Sequence, residues 1–232
     1  MPLLLSIDWD YYSGAAEHVF DSPLWGTPDR EFDRLKRWRE RAGQRNQEAG
    51  GWEALALDFP LYGDPRQLLA YGGIPTFVAW SHAHAWEWLE YCVKQYGPGR
   101  EVLNFDSHHD LYSKSGDCAR VRPGNWAGLA LKRGLISRYA CVYPSWHEEV
   151  RVSEGYDLAR TWEEVQANLD ASLWPRVTLG RASHLPRPAE VESLLLVQSP
   201  SWTSPAHDEV FFNLLAELRA ENLSAPYRRP WS

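Results

Sequence analysis

The segment Leu103-Asn104-Phe105-Asp106-Ser107-His108-His109-Asp110 holds the densest chemistry in the chain. Asp106, His108 and Asp110 alternate where an apolar run ends, and in extended backbone a period of two puts all three on one side. At a rise of ~3.3 Å per residue, successive members stand ~6 to 7 Å apart, so their tips can converge on ions beyond the strand end. Ser6-Ile7-Asp8-Trp9-Asp10 repeats the device with two carboxylates. Ser81-His82-Ala83-His84 sets an imidazole just after a third apolar run, with His84 as the alternative to His82. A lone D-x-D or a lone histidine is commonly a solvated or capping residue. Neighbouring desolvated carboxylates, however, cost free energy unless a cation compensates them. Asp8, Asp10, His82, Asp106, His108 and Asp110 suffice as ligands for two divalent cations. Mixed oxygen and imidazole donors favour Mn²⁺, with Zn²⁺ or Fe²⁺ as alternatives, and no cysteine lies nearby to build a structural zinc site.

These residues need a scaffold that brings strand ends together. Leu3 to Ile7, Ile74 to Trp80, Glu101 to Asp106, Tyr139 to Tyr143, Arg176 to Gly180 and Ser193 to Val197 read as short buried strands. Helices are expected at Asp29 to Glu48, from about Ala83 to Tyr96, at Trp126 to Arg133, at Thr161 to Asp170 with Thr161 as N-cap, and at Asp208 to Glu221. Pro60 to Gly73 reads as loop with a helical turn around Gln67 to Tyr71. Strands alternating with helices predict an α/β fold, a three-layer α/β/α arrangement around a mostly parallel sheet, in one domain over residues 1–232. In such sheets ligands bind outside the carboxyl ends of the strands, which is where these motifs fall.

Composition narrows the classes. The chain has 232 residues, with 24 Lys and Arg against 31 Asp and Glu, a net charge of −7. That sign is opposite to what a general nucleic-acid binder needs. No apolar stretch approaches the ~20 residues of a membrane span, and Met1 is followed by no leader-like segment. The three cysteines, Cys92, Cys118 and Cys141, are widely spaced, so a reducing cytoplasm without disulfides is expected. A small-molecule substrate is the expected partner, with self-association left open. Several of the 13 tryptophans, Trp9, Trp80, Trp86, Trp126, Trp146 and Trp202, stand close to the polar motifs, a minority of them as candidate pocket walls.

Asp106-Ser107-His108-His109-Asp110 resembles the D-x-H-x-D motif of the arginase/agmatinase superfamily, Asp8 and Asp10 resemble its S-x-D-x-D motif, and Ser81-His82 resembles its D-H pair. The likeness is closer to an uncharacterised arginase-like family carrying D-S-H-P-D, an N-W helix, P-x-W and S-I-D-L-D-F-F. This chain has Asp106 to Asp110, Asn125-Trp126, Pro144-Ser145-Trp146 and Ser6-Ile7-Asp8-Trp9-Asp10-Tyr11-Tyr12. The match covers about residues 1–14 and 74–147. It implies an arginase-like fold, with Asp8 and Asp106 as bridging carboxylates, His82 and Asp110 completing one cation site, and His108 and Asp10 the other. Ser81 stands where the superfamily has an aspartate. The S-x-D-x-D motif leads this chain instead of following D-x-H-x-D, which implies a permuted strand order.

The resemblance implies hydrolysis of a C–N bond, in an amide, guanidino or related compound, by a hydroxide bridging two cations. Asp10 and His109 are the candidate catalytic residues, His109 as an exposed proton shuttle. Asn125, Trp146, Arg181 and Ser199 are the candidate substrate-binding residues. The guanidinium-recognising acid of arginases belongs near a later strand, where this chain has Ser199-Pro200-Ser201-Trp202-Thr203 and no carboxylate. That counts against arginase itself unless Asp58 or Glu148 supplies the charge. Two other classes fit parts of the pattern: a metal-binding or partner-binding protein without catalysis, and a haloacid dehalogenase-type phosphatase. The phosphatase would want Thr or Val at Tyr12 and leaves Asp106 to Asp110 unexplained.

Overall fold

A computed structural model of the chain describes residues 3–14, 38–39, 43, 56–57, 59–113, 119–151, 153–182 and 184–227. The expected helix Asp29 to Glu48 lies outside them except for Trp38, Arg39 and Gly43, and Cys118 and Asp58 lie outside as well. Among the described residues, seven strands form one sheet: β1 (Leu3–Asp8), β2 (Thr76–Ala79), β3 (Arg100–Phe105), β4 (Ile136–Val142), β5 (Val177–Gly180), β6 (Val191–Val197) and β7 (Glu221–Asn222). Their order is β5-β4-β3-β1-β6-β2-β7, and every pairing is parallel.

Apolar side chains leave both faces of the sheet, as a parallel sheet covered on both sides requires. Leu4, Phe77, Ala79, Val102, Leu195 and Val197 pack in one layer with Trp88 and Leu89 of the helix Ala85–Tyr96 and with Ala127 and Leu131 of the helix Trp126–Lys132. Leu5, Ile7, Val78, Leu194 and Leu196 pack in the other with Phe211 and Leu214 of the helix Asp208–Leu218. The expected three-layer α/β/α arrangement is therefore present.

Element ends depart from the sequence reading in ways local chemistry explains. The helix expected at Thr161 to Asp170 runs Leu158–Asn168 and is capped by Asp157, whose carboxylate accepts the backbone N–H groups of Ala159 and Arg160. Thr161 sits inside it, its hydroxyl donating to the Asp157 carbonyl at 2.9 Å. The last long helix stops at Leu218 because Arg219 turns left-handed (φ 54°). Glu221 and Asn222 then pair with β2 as an edge strand, where a helix end was expected.

The chain moves outward from β3 to β5 on one side of β1 and returns to insert β6 on the other. The carboxyl end of β1 thus lies at a switch in strand order, the usual place for a ligand crevice in a parallel sheet.

Candidate metal centre

β1 and β3 are register neighbours, Ile7 opposite Phe105, so Asp8 and Asp106 leave the sheet side by side. Each then turns its own chain by the same device: Asp8 Oδ1 accepts the Asp10 N–H at 3.1 Å, and Asp106 Oδ1 accepts the His108 N–H at 2.8 Å. These are Asx-type turns, which replace the extended continuation expected for Asp106 to Asp110. Ser107 ties the two turns together, its N–H donating to Asp10 Oδ1 at 3.1 Å and its hydroxyl to the Asp10 carbonyl at 3.2 Å. Asp110 ends the segment in left-handed backbone (φ 53°), a conformation that costs a non-glycine residue energy and must be held by its neighbours.

The side chains gather in two groups. Asp8, His82 and Asp106 form one and Asp10, Asp106 and His108 the other, with the ligand atoms of each group within 4.8 Å of one another. His82 Nδ1 lies 3.0 Å from Asp8 Oδ2, 3.1 Å from Asp106 Oδ2 and 3.1 Å from Asp110 Oδ2. His108 Nδ1 lies 3.1 Å from Asp10 Oδ2 and 3.6 Å from Asp106 Oδ1. Asp106 therefore turns one oxygen to each imidazole.

This donor set fits cations better than protons. A ring nitrogen carries at most one proton and cannot satisfy three carboxylate oxygens at once. Ligand atoms held about 2.1 Å from one ion, by contrast, stand about 3 Å apart, as these do. Asp10 Oδ2 is buried and has no hydrogen-bond partner, facing only His108 Nδ1. Buried side chains orient the ligands from behind, as ligands of a metal need. Ser199 Oγ donates to Asp8 Oδ2 at 2.5 Å, Asn104 Nδ2 to Asp106 Oδ2 at 2.9 Å and Trp126 Nε1 to Asp110 Oδ2 at 2.6 Å. Ser6 Oγ meets His82 Nε2 at 2.9 Å, which leaves Nδ1 for ligation when Nε2 carries the proton.

The buried carboxylates and imidazoles shift one another's proton affinity. Burial opposes the charged form of His82, but Asp106, Asp110 and Asp8 outweigh it and hold its pKa well above the usual range. His108 is raised the same way, against burial, by Asp10 and Asp106. Burial, then Asp8 and Asp106, push Asp10 well up; burial and Asp106 push Asp110 up to about 7. Against its burial, Asp106 is held below the carboxylate range by His108 and His82.

No family model matches the chain, and no curated protein matches it. Solved structures similar to it include a hypothetical agmatinase from Burkholderia thailandensis, with 15% identity, a TM-score of 0.34, and coverage of 94% of this chain and 82% of that one. Another is the proclavaminate amidino hydrolase from Streptomyces clavuligerus, with 11% identity, a TM-score of 0.35, and coverage of 94% and 90%.

The other expected site residues fall in different places. Ser199, in left-handed backbone (φ 43°) after β6, reaches the cluster through Asp8. Trp202, three residues on, brings its ring 4.7 Å from that of His108. The His108 side chain is 32% exposed and that of His82 only 2%, so the cluster opens toward solvent on the His108 and Trp202 side.

Asn125 is buried and spends its side chain on its own loop, accepting the Arg122 N–H and donating to the Arg120 carbonyl. Arg181 is held by the carbonyls of Gly155 and Tyr156 and by Glu148. Trp146 donates to the Tyr11 carbonyl and stacks on Tyr62, with ring centroids 4.4 Å apart. His84 Nδ1 stays 3.3 Å from the Ser81 carbonyl, so His82, not its alternative, joins the cluster.

His109, expected to be exposed, is buried. Its Nδ1 accepts the Leu111 N–H at 3.0 Å, which leaves the ring proton on Nε2, and burial lowers its pKa. Its own N–H donates to Glu154 Oε1 at 2.6 Å, an oxygen shared with the Tyr143 hydroxyl at 2.7 Å. Glu154 has no signal in the sequence, because its contacts join segments far apart in the chain. Trp126 is marked there only as a tryptophan near the polar motifs and by the N-W pair, not as a partner of Asp110.

Proposed function

We propose that the chain is a hydrolase of non-peptide C–N bonds that works with two divalent cations, Mn²⁺ first among them. The observation that carries this reading is Asp106, which offers one carboxylate oxygen to each of two buried Asp/His groups. The resemblance of the three ligand segments to arginase-type motifs supports the same reaction class. Asp8, His82, Asp106 and Asp110 would hold one cation and Asp10, Asp106 and His108 the other. When bound, such a pair supplies Lewis acidity that ionises a water near neutral pH and polarises the group under attack.

The chain's own residues set the rest. His108 and Trp202 line the open side of the cluster, where substrate can approach and Trp202 offers a flat apolar wall, while Asp10 lies buried 3.1 Å from His108 Nδ1. Neutral His109 holds its proton on Nε2 and spends its Nδ1 lone pair on the Leu111 N–H, so its ring as placed has no lone pair left for the proton-shuttle role expected of it. Ser199, whose hydroxyl is spent on Asp8, acts on substrate only through that carboxylate. The phosphatase alternative requires Asp8 as a free nucleophile, but Asp8 Oδ1 is taken by the Asp10 N–H and Oδ2 by Ser199 and His82.

The test is elemental analysis of protein purified without a nickel column, followed by a panel of amides and guanidino compounds assayed with added Mn²⁺ and with p-nitrophenyl phosphate as comparison. About two cations per chain and chelator-sensitive C–N hydrolysis are expected. Full metal loading with no turnover across the panel would favour the non-catalytic metal protein instead.

A further inference from the structure

Trp126 packs against two of the proposed ligands, and it is fully buried. Its Nε1 donates at 2.6 Å to Asp110 Oδ2, the same oxygen that stands 3.1 Å from His82 Nδ1. Its ring also stacks on the His82 imidazole, with centroids 5.3 Å apart and planes 29° apart. Its edge meets Tyr139, whose hydroxyl accepts from the same Asn104 amide that donates to Asp106.

The next two residues grip the same segment. The Ala127 N–H donates to the Asp110 carbonyl at 3.1 Å, and Gly128 lies so close to Leu111 that a Cβ there would stand 1.9 Å from its carbonyl oxygen. Asp110 is the ligand in left-handed backbone, so it is the one whose direction most needs outside support. The start of the helix Trp126–Lys132 provides that support at the side chain, the carbonyl and the following peptide.

We propose that Trp126 is the positioning residue of the His82 cation site, fixing Asp110 by its indole N–H and His82 by its ring face so that both present ligand atoms to one cation. This inference rests on the two-cation reading above. Trp126 touches no substrate; it acts through two ligands delivered by different strands. Outer partners of this kind alter metal affinity about 10- to 100-fold when removed.

The experiment compares Trp126→Phe, which keeps an aromatic face and deletes the donor, with Trp88→Phe. Trp88 is equally buried in the same layer, but its indole N–H donates to Ser193 Oγ at 2.9 Å and not to a proposed ligand. Mn²⁺ affinity is measured by chelator competition, and Co²⁺ absorption reports the ligand field. Trp126→Phe should lose about tenfold or more in affinity for one of two cations and change the Co²⁺ spectrum, while Trp88→Phe keeps both.

Wild-type affinity in Trp126→Phe, or equal loss in the two variants, would overturn the proposal. A wild-type protein that binds no Mn²⁺ or Co²⁺ would overturn the two-cation reading and this one with it. Should Trp126→Phe fail to fold, ¹⁵N-indole spectra of the wild type during Zn²⁺ titration decide the matter. One protected indole N–H should shift strongly, and no shift in any protected indole would count against the role.

Discussion

His82 and Asp106 follow β2 and β3, strands separated in the sheet by β6 and β1, yet their side chains meet at 3.1 Å. The short turn His82–His84 makes this reach, starting from Ser81, whose hydroxyl accepts the Ala83 N–H. The site is thus assembled across the middle of the sheet, and no single strand end contains it.

With Asp106 as the proposed shared ligand, Asp106→Asn should lose both cations, whereas His109→Ala should keep them. Metal content after dialysis, read by mass spectrometry, checks this. Equal content in Asp106→Asn and wild type would remove the basis for a shared carboxylate.

The cation-free protein should lose stability as pH rises from 7 to 8.5. Folded-state pKa values raised above the unfolded ones, as for His82 and His108, give stability at low pH that disappears as pH climbs through the folded values. His109 and His147, the latter lowered to about 4, have the opposite sign but are already neutral in this window. Asp106 acts only in acid. Cations bind the deprotonated ligands, so Mn²⁺ should stabilise more at pH 8.5 than at 7. Thermal scans with EDTA and with Mn²⁺ measure both trends, and a Tm in EDTA that rises with pH would contradict the prediction.

Gly128→Ala should be costly, because its Cβ would meet the Leu111 backbone and not a flexible side-chain end. A loss of about 3 kcal/mol is expected, or roughly 6 to 12 °C in Tm, with weaker Mn²⁺ binding. Gly180→Ala, with open space around its Cβ, should stay within about 0.5 kcal/mol. Comparable Tm values for the two variants would rule out the close approach.

Free arginine and agmatine should be poor substrates. In the loop after β6 Ser199 is committed to Asp8, and Thr203 donates to the carbonyls of Gln198 and Ser199, so neither hydroxyl supplies a counter-charge. An unpaired buried guanidinium costs several kcal/mol, on the order of a thousandfold in binding. Urea release from both compounds with Mn²⁺ across pH 7 to 9.5 is the measurement. Efficient turnover would require an acid from elsewhere in the chain, with Asp58 and Glu148 the first to replace.

The segments that meet in the Asp/His cluster are legible because each is a short polar run attached to an apolar strand, and strand ends in a parallel sheet share one edge. Their convergence through Asx turns is not, since extended and turned backbones carry the same alternation. The sequence marks Thr161 as the cap, but Asp157 also precedes helical spacing, and only the bonds to Ala159 and Arg160 decide between them. β7 was hidden because two exposed residues become a strand only through their partner in β2. Asn125 and Arg181 look like binding groups by residue type, but the carbonyls and amides that occupy them come from loops whose approach no local pattern encodes.

The placement of β6 between β1 and β2 also governs how the molecule is made. Leu3 pairs with Val191 across most of the chain length, and non-local parallel pairing of this sort forms slowly. On a ribosome all the proposed ligands emerge well before the strand that closes the gap beside β1. Until residues 191–197 slot in, β1 and β2 each offer an open edge to other chains, so nascent or truncated copies ending before Val191 are the form of this protein most exposed to aggregation.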